Sequence, residues 1–162
     1  MDIKKIVLLT VIVLITISSL SMVSAGLFGS GTQEVTVDGV KFVLDDSFKI
    51  TGQQNNFINF VVKTGTTGVL SSLVSDEDLN SYIKNDPEVG YTVSEVNSAS
   101  DIKEYAFIEE GIDKGYFIVF QKDGKNFVYQ ITTELNADDN EVKEVAELMN
   151  KFTNDNKDLK LI

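Results

Sequence analysis

The sequence predicts an α+β fold: an antiparallel β-sheet of about six to eight strands with two packed helices, preceded by an N-terminal hydrophobic export helix. Short runs with two-residue apolar alternation recur between Glu34 and Thr133, two Asp-Gly pairs punctuate them, and only two stretches carry helical periodicity.

The first element is an export segment. Lys4 and Lys5 precede an apolar run from Ile6 to Ile17, which weakens through Ser18, Ser19, Leu20, Ser21 and Met22 to Val23-Ser24-Ala25. A charged end, an apolar core and small residues at Val23 and Ala25 come in the order of a secretory signal, with cleavage expected after Ala25. Residues 6–25 are also long enough to span about 30 Å of hydrocarbon, so retention as a membrane anchor is the competing reading. Four Ser among the last eight of those residues favour cleavage. In both readings the remainder lies outside the cytoplasm, and the membrane is a partner only if the segment is kept. With no Cys there is nothing to carry a lipid, and Asn80-Ser81-Tyr82 and Asn97-Ser98-Ala99 both lack the third residue of a glycosylation sequon.

The rest of the chain divides into a linker at 26–33, a single α+β domain at 34–153 and a polar C-terminal tail at 154–162. Gly26 to Thr32 is Gly-rich and without periodicity. Glu34–Val37 and Val40–Leu44 form a hairpin around Asp38-Gly39, a pair suited to the positive backbone angles of a type I′ turn. Phe48–Thr51 and Phe57–Lys63 are the next strands, Gly65-Thr66-Thr67-Gly68 breaks the chain, and branched residues in Val69–Val74 favour another strand. Ser75 then caps a helix with Asp76, Glu77 and Asp78 in its first turn and Leu79, Tyr82 and Ile83 along one side, closed by Asp86-Pro87. Tyr91–Val96, Lys103–Glu109, Tyr116–Gln121 and Phe127–Thr133 return to strand periodicity, with Asp123-Gly124 marking a second hairpin. Ala137–Phe152 puts Val142, Val145, Ala146, Met149 and Phe152 on one helical stripe.

Composition excludes whole classes of chemistry. All 14 basic residues are Lys, and Cys, His and Trp are absent. Disulfides, thiolate or imidazole metal sites, Ser-His-Asp and Cys-His catalysis and arginine clamps on phosphate are therefore ruled out. The formal charge of -11 opposes binding to nucleic acid.

The remaining candidates each have a structural explanation. Ser81-Tyr82-Ile83-Lys84 fits S-x-x-K and Lys63-Thr64-Gly65 fits K-T-G, but in the order opposite to that of penicillin-interactive serine enzymes and with no S-D-N between them. Asp76-Glu77-Asp78 and Asp138-Asp139-Asn140-Glu141 offer oxygen ligands to Ca²⁺ or Mg²⁺, yet both lie where helices start, where capping accounts for them. Asp45-Asp46 reads as a turn pair. Glu109 and Glu110 are adjacent, so on a strand they point to opposite faces, and Glu104 with Glu109 is no better a catalytic pair. Gly65 to Gly68 lacks phosphate-loop spacing and reads as a turn. Tyr105, Phe107, Tyr116, Phe117, Phe120, Phe127 and Tyr129 crowd three strands, as a sugar- or partner-binding platform would, or as a core with Phe inside and Tyr at its edge.

The order of these elements, with D-I-K-E-Y-A-F and G-Y-F-I-V-F-Q-K-D-G-K-N-F-V-Y-Q-I before a helix ending M-N-K-F, resembles the extracytoplasmic α/β/α sandwiches related to the extrinsic photosystem subunit PsbP. The resemblance covers about Val35 to Phe152 and implies a noncatalytic binding or assembly module. Lack of Arg with abundant Lys, Asn and Ile is similar to small exported proteins of methanogenic archaea. The expected function is thus a noncatalytic exported or membrane-anchored module with a cell-surface protein or glycan as partner, without cofactor, catalytic residue or metal ligand. The alternatives are a small hydrolase using Ser, Lys and acid chemistry and a weak divalent-cation binder.

Overall fold

The computed structural model describes residues 31–73, 75–88, 90–96 and 102–162. The export segment at 1–25 and most of the linker lie outside the described residues. The described residues form ten strands and two helices, with every strand pair antiparallel.

β1 (Thr32–Val37) and β2 (Val40–Asp45) form a separate hairpin, turning at Asp38 (φ 50°) and Gly39 (φ 78°). Positive φ at both turn positions is what a type I′ turn demands. β1 starts at Thr32, inside the segment read as linker.

The main sheet contains β3 (Lys49–Gln54), β4 (Phe57–Lys63), β5 (Thr66–Ser72), β6 (Tyr91–Val96), β7 (Glu104–Glu109), β8 (Asp113–Lys122) and β9 (Lys125–Glu134), in the order β3-β4-β5-β9-β8-β7-β6. β10 (Lys160–Leu161) pairs with β8 beyond the end of β7. The C-terminal segment read as a polar tail thus completes the second helix and adds a short strand. The expected break at Gly65–Gly68 is narrower than anticipated. Only Thr64-Gly65 turns, and Gly68 lies within β5, where the Phe60 ring occupies the space a Cβ would need.

Helix α1 (Asp76–Tyr82) is capped by Ser75, whose hydroxyl accepts from the Asp78 N–H at 3.2 Å. It buries Leu79 and Tyr82, while Ile83, expected on the same stripe, is its C-cap and stays exposed. Helix α2 (Asp139–Asp155) starts with a capping box: Asp138 accepts from the Asn140 and Glu141 N–H groups, and Glu141 accepts from the Asp138 N–H. Three otherwise unpaired donors are satisfied, two of them reciprocally. Val145, Met149 and Phe152 are buried, each stabilising the fold by roughly 1.5–3 kcal/mol, whereas Val142 and Ala146 are half-buried.

Alternation along the strands divides the core in two. Ile118 and Phe120 of β8 and Phe127, Tyr129 and Ile131 of β9 join α2 and the β1–β2 hairpin. Phe117 and Val119 of β8 and Val128 of β9 join α1, Tyr91, Tyr105 and Phe107. The sheet is the middle of three layers, as the two-residue period requires when both faces are covered.

Candidate functional site

The site is built where β7 turns into β8. Glu110, Gly111 and Ile112 connect the two strands, and the Ile112 N–H donates to the Glu109 carbonyl at 3.1 Å. This short turn sets Glu109 directly opposite Asp113. Register continues the row on both sides, with Tyr91 opposite Glu109 and Glu134 opposite Asp113. Residues directly opposite in an antiparallel pair share a face. Tyr91 fixes that face as the α1 side, since it lies in the second core and its hydroxyl donates to the Tyr82 carbonyl at 3.4 Å.

Glu109 is only 6% exposed. The Asp113 Oδ1 atom is buried with no hydrogen-bond partner among the described residues. Burial, and then the charge of Glu109, pushes the Asp113 carboxyl up to about 6. Burial likewise raises Glu109. Tyr91 is raised by burial first and then by Tyr82, Glu109 and Asp113, and Tyr82 reaches about 12 through burial and the charge of Asp78. Chemically, this is a pair of facing carboxyls in which both groups hold their protons more tightly than an exposed acid does. A third such group, Glu104, stands apart on the opposite face, 4% exposed, paired in register with Ile118 and Val96, and burial raises it to about 7.

The same sheet end exposes aliphatic side chains. Ile108 is 48% exposed, Ile112 is 51% exposed and Leu135 is 37% exposed. Ile108 pairs in register with Lys114, one step from the Glu109–Asp113 row, while Ile112 and Leu135 flank the paired Asp113 and Glu134. The Lys114 ammonium donates to the Ala137 carbonyl at 2.9 Å, which closes this corner against the start of α2.

The residues singled out from the sequence are placed elsewhere. Ser81 donates to the Asp78 carbonyl on α1, which packs on one face of the sheet, while Lys63 pairs with Glu144 at 2.6 Å and Glu141 at 3.7 Å on α2 across the other. The S-x-x-K and K-T-G matches therefore share no site. Asp138 and Glu141 serve the capping box, and Asp78 shares its turn with Ser75. Asp45 accepts from the Ser47 N–H and hydroxyl and faces Lys151; burial opposes its charge, but these partners lower its pKa. Among the described residues no group of three or more acidic side chains is placed to hold a metal ion.

The aromatic residues do not form one platform. Tyr105, Phe107 and Phe117 enter the α1-side core, whereas Phe120, Phe127 and Tyr129 enter the α2-side core. Tyr129 also departs from the expected edge position, since it is 1% exposed and stacks on Phe152 at 3.9 Å. At the opposite end of the domain, a shallow cleft of about 340 Å³ lies between Lys41, Phe42, Lys122 and Asn156. Two of its cations are already engaged: Lys41 pairs with Glu34 at 2.8 Å, and the Lys122 ammonium sits 5.1 Å above the Phe42 ring.

The Glu109–Asp113 pair and the three exposed aliphatic residues were missed in the sequence. The adjacent Glu109 and Glu110 carry no signal, whereas the spacing E-E-G-I-D does, since a three-residue turn brings the first Glu and the Asp face to face.

Comparison with known proteins adds a likeness of form. The chain is similar to a cyanobacterial PsbP. That solution structure, CyanoP from Synechocystis sp. PCC 6803, shares 15% identity over 86% of this chain and 96% of the other, with a TM-score of 0.45. No protein-family model matches the chain, and no match was found among curated proteins.

Proposed function

We propose that this chain is a noncatalytic binding or assembly module acting outside the cytoplasm, and that its contact surface is the sheet end bearing Ile108, Ile112 and Leu135. The observation that carries this reading is the clustering by register of those three exposed side chains, which singly would need no explanation. Lys4 and Lys5 ahead of the apolar run, with small residues at Val23 and Ala25, support export. Among the described residues no helix is long and apolar enough to cross a membrane, so anchoring falls to the N-terminal segment if it is retained.

Site-specific photocrosslinking on intact cells tests the reading. A crosslinker at Ile112 is expected to form a discrete adduct, while one at Ile162, exposed near β10, is not. N-terminal sequencing of the surface fraction should begin at Gly26, or at the initiator if the anchor is kept. Equal labelling from both positions, or a cytosolic chain, would overturn the proposal.

One observation favours the hydrolytic alternative, namely the facing Glu109 and Asp113. Hydrolysis of a glycoside by the purified chain, lost in Glu109→Gln, would replace the binding reading.

A further inference from the structure

We infer that the exposed sheet end receives a cationic polypeptide segment in which Lys or Arg alternates with aliphatic residues. This rests on the reading of that end as a contact surface and identifies the chemistry of what it contacts.

Glu110, Glu134 and Asp139, all exposed, lie just past the end of β7, at the end of β9 and at the start of α2. Among the described residues none of these three takes part in an ion pair, whereas elsewhere Lys41 pairs with Glu34, Lys103 with Glu95, Lys125 with Asp38 and Lys151 with Asp45 and Asp155. Lys114, opposite Ile108, donates its ammonium to the uncharged Ala137 carbonyl and keeps its charge, which Glu110, Glu134 and Asp139 outnumber. The positive end of α2 is already answered by Asp138 and Glu141 in the capping box, so it does not cancel the acids.

An acidic rim alone would signify little in a chain of formal charge -11. Asp76, Glu77 and Asp78 form a comparable cluster at the start of α1, but with no exposed large aliphatic side chain among them. At the β7–β8 end the two features coincide. Aliphatic contact supplies area, and surrounding charge of one sign selects the partner and speeds encounter. The occupant must offer apolar side chains to Ile108, Ile112 and Leu135 and cations to Glu110, Glu134 and Asp139. Anionic lipid and nucleic acid are repelled by the same field, and a second copy of this chain would bring like charge against like.

The test uses the full chain in mild detergent and fluorescence anisotropy with three short synthetic peptides, alternating Lys with Leu, Lys with Ser, and Glu with Leu. The Lys-Leu peptide is expected to bind at least about ten-fold more tightly than either of the others, and the Ile112→Ser/Leu135→Ser variant to lose about ten-fold in that affinity. Ile162→Ser should leave the affinity unchanged. Circular dichroism melting of each variant separates loss of contact from loss of fold. Equal binding of Lys-Leu and Lys-Ser peptides, or equal loss in Ile162→Ser, would reduce the effect to general charge attraction and overturn the inference. Binding of the Glu-Leu peptide that Ile112→Ser/Leu135→Ser abolishes would refute the cationic partner while sparing the contact surface. Concentration-dependent dimerisation lost in the same variant would identify a second copy as the occupant, with the same consequence. No binding by any peptide, with no self-association, would remove the contact surface and the inference together.

Discussion

The side-chain amide of Asn156 accepts a hydrogen bond from the Val43 N–H at 2.9 Å and donates one to the Val43 carbonyl at 2.8 Å, across 113 positions of sequence. It also donates to the Phe152 carbonyl at 2.9 Å, and the residue is 3% exposed. An amide side chain acts here as a strand would. It satisfies one residue on the free edge of β2 and locks the end of α2 to the hairpin.

Replacing Asn156 with Ala leaves buried donors and acceptors unpaired, so it should destabilise the domain by about 3 kcal/mol in urea denaturation. Asn156→Asp retains the acceptor for the Val43 N–H but sets a carboxylate against two carbonyls. It should lose more stability at pH 7 than at pH 4, and an equal loss at both would show that the amide's donor side contributes little.

Stability should fall as pH rises from about 4 to about 8. Glu104 and Asp113 are raised in the folded state to about 7 and about 6, and Glu109 is also raised, each first by burial. An acid with a raised folded pKa adds stability that is complete below its unfolded value and lost as pH climbs through the folded one. Asp45, held lower by Ser47 and Lys151, acts only below this window. The melting temperature should drop by roughly 5 °C between pH 5 and pH 8. Glu104→Gln with Asp113→Asn should flatten that slope, and an unchanged slope would refute the assignment.

Gly68 and Gly115 lie where the sheet has no room for a methyl group. A Cβ at Gly115 would meet the Ile131 backbone carbonyl, and one at Gly68 would meet the buried Phe60 ring. Backbone cannot retreat as a side chain can, so Gly115→Ala should cost about 3 kcal/mol and Gly68→Ala about 2 kcal/mol. The Gly68→Ala penalty should shrink in a Phe60→Leu background. Additive losses in that double-mutant cycle would argue against the close approach.

The β8–β9 turn places Asp123 at φ 51° and Gly124 at φ 75°. Gly124→Ala should cost about 1–2 kcal/mol through left-handed strain alone, and Asp123→Asn should be close to neutral. Thermal melts of both variants check this, because a neutral Gly124→Ala would mean that the turn relaxes without penalty.

Much of this architecture is written in short stretches of sequence. Phe57–Lys63 and Tyr91–Val96 appear as strands with the expected ends, Ser75 and Asp138 cap the helices, and both Asp-Gly pairs turn as type I′ geometry requires. Each is a preference expressed within a few residues, by side-chain period, a capping oxygen or a tolerated positive φ. Gly68 reads as a loop residue on the same local logic, and the reading fails because the reason for its glycine is Phe60 on the neighbouring strand.

The candidate site was far less visible. Glu109 and Asp113 acquire their meaning from the register of β7 on β8, and their raised proton affinity from burial on the face where Tyr91 of β6 lies beside them. The aromatic residues of three strands sort into two cores only once α1 and α2 lie on opposite faces.

Composition and local pattern alone establish the class of fold, its turns and caps, and the chemistries this chain lacks, since those depend on residue identity and near neighbours. Which carboxyls meet, which aliphatic residues remain in water and which edge Asn156 closes are decided by pairing and packing across the whole domain. These are contacts between residues remote in sequence, and their energy depends on the solvent that the surrounding layers exclude.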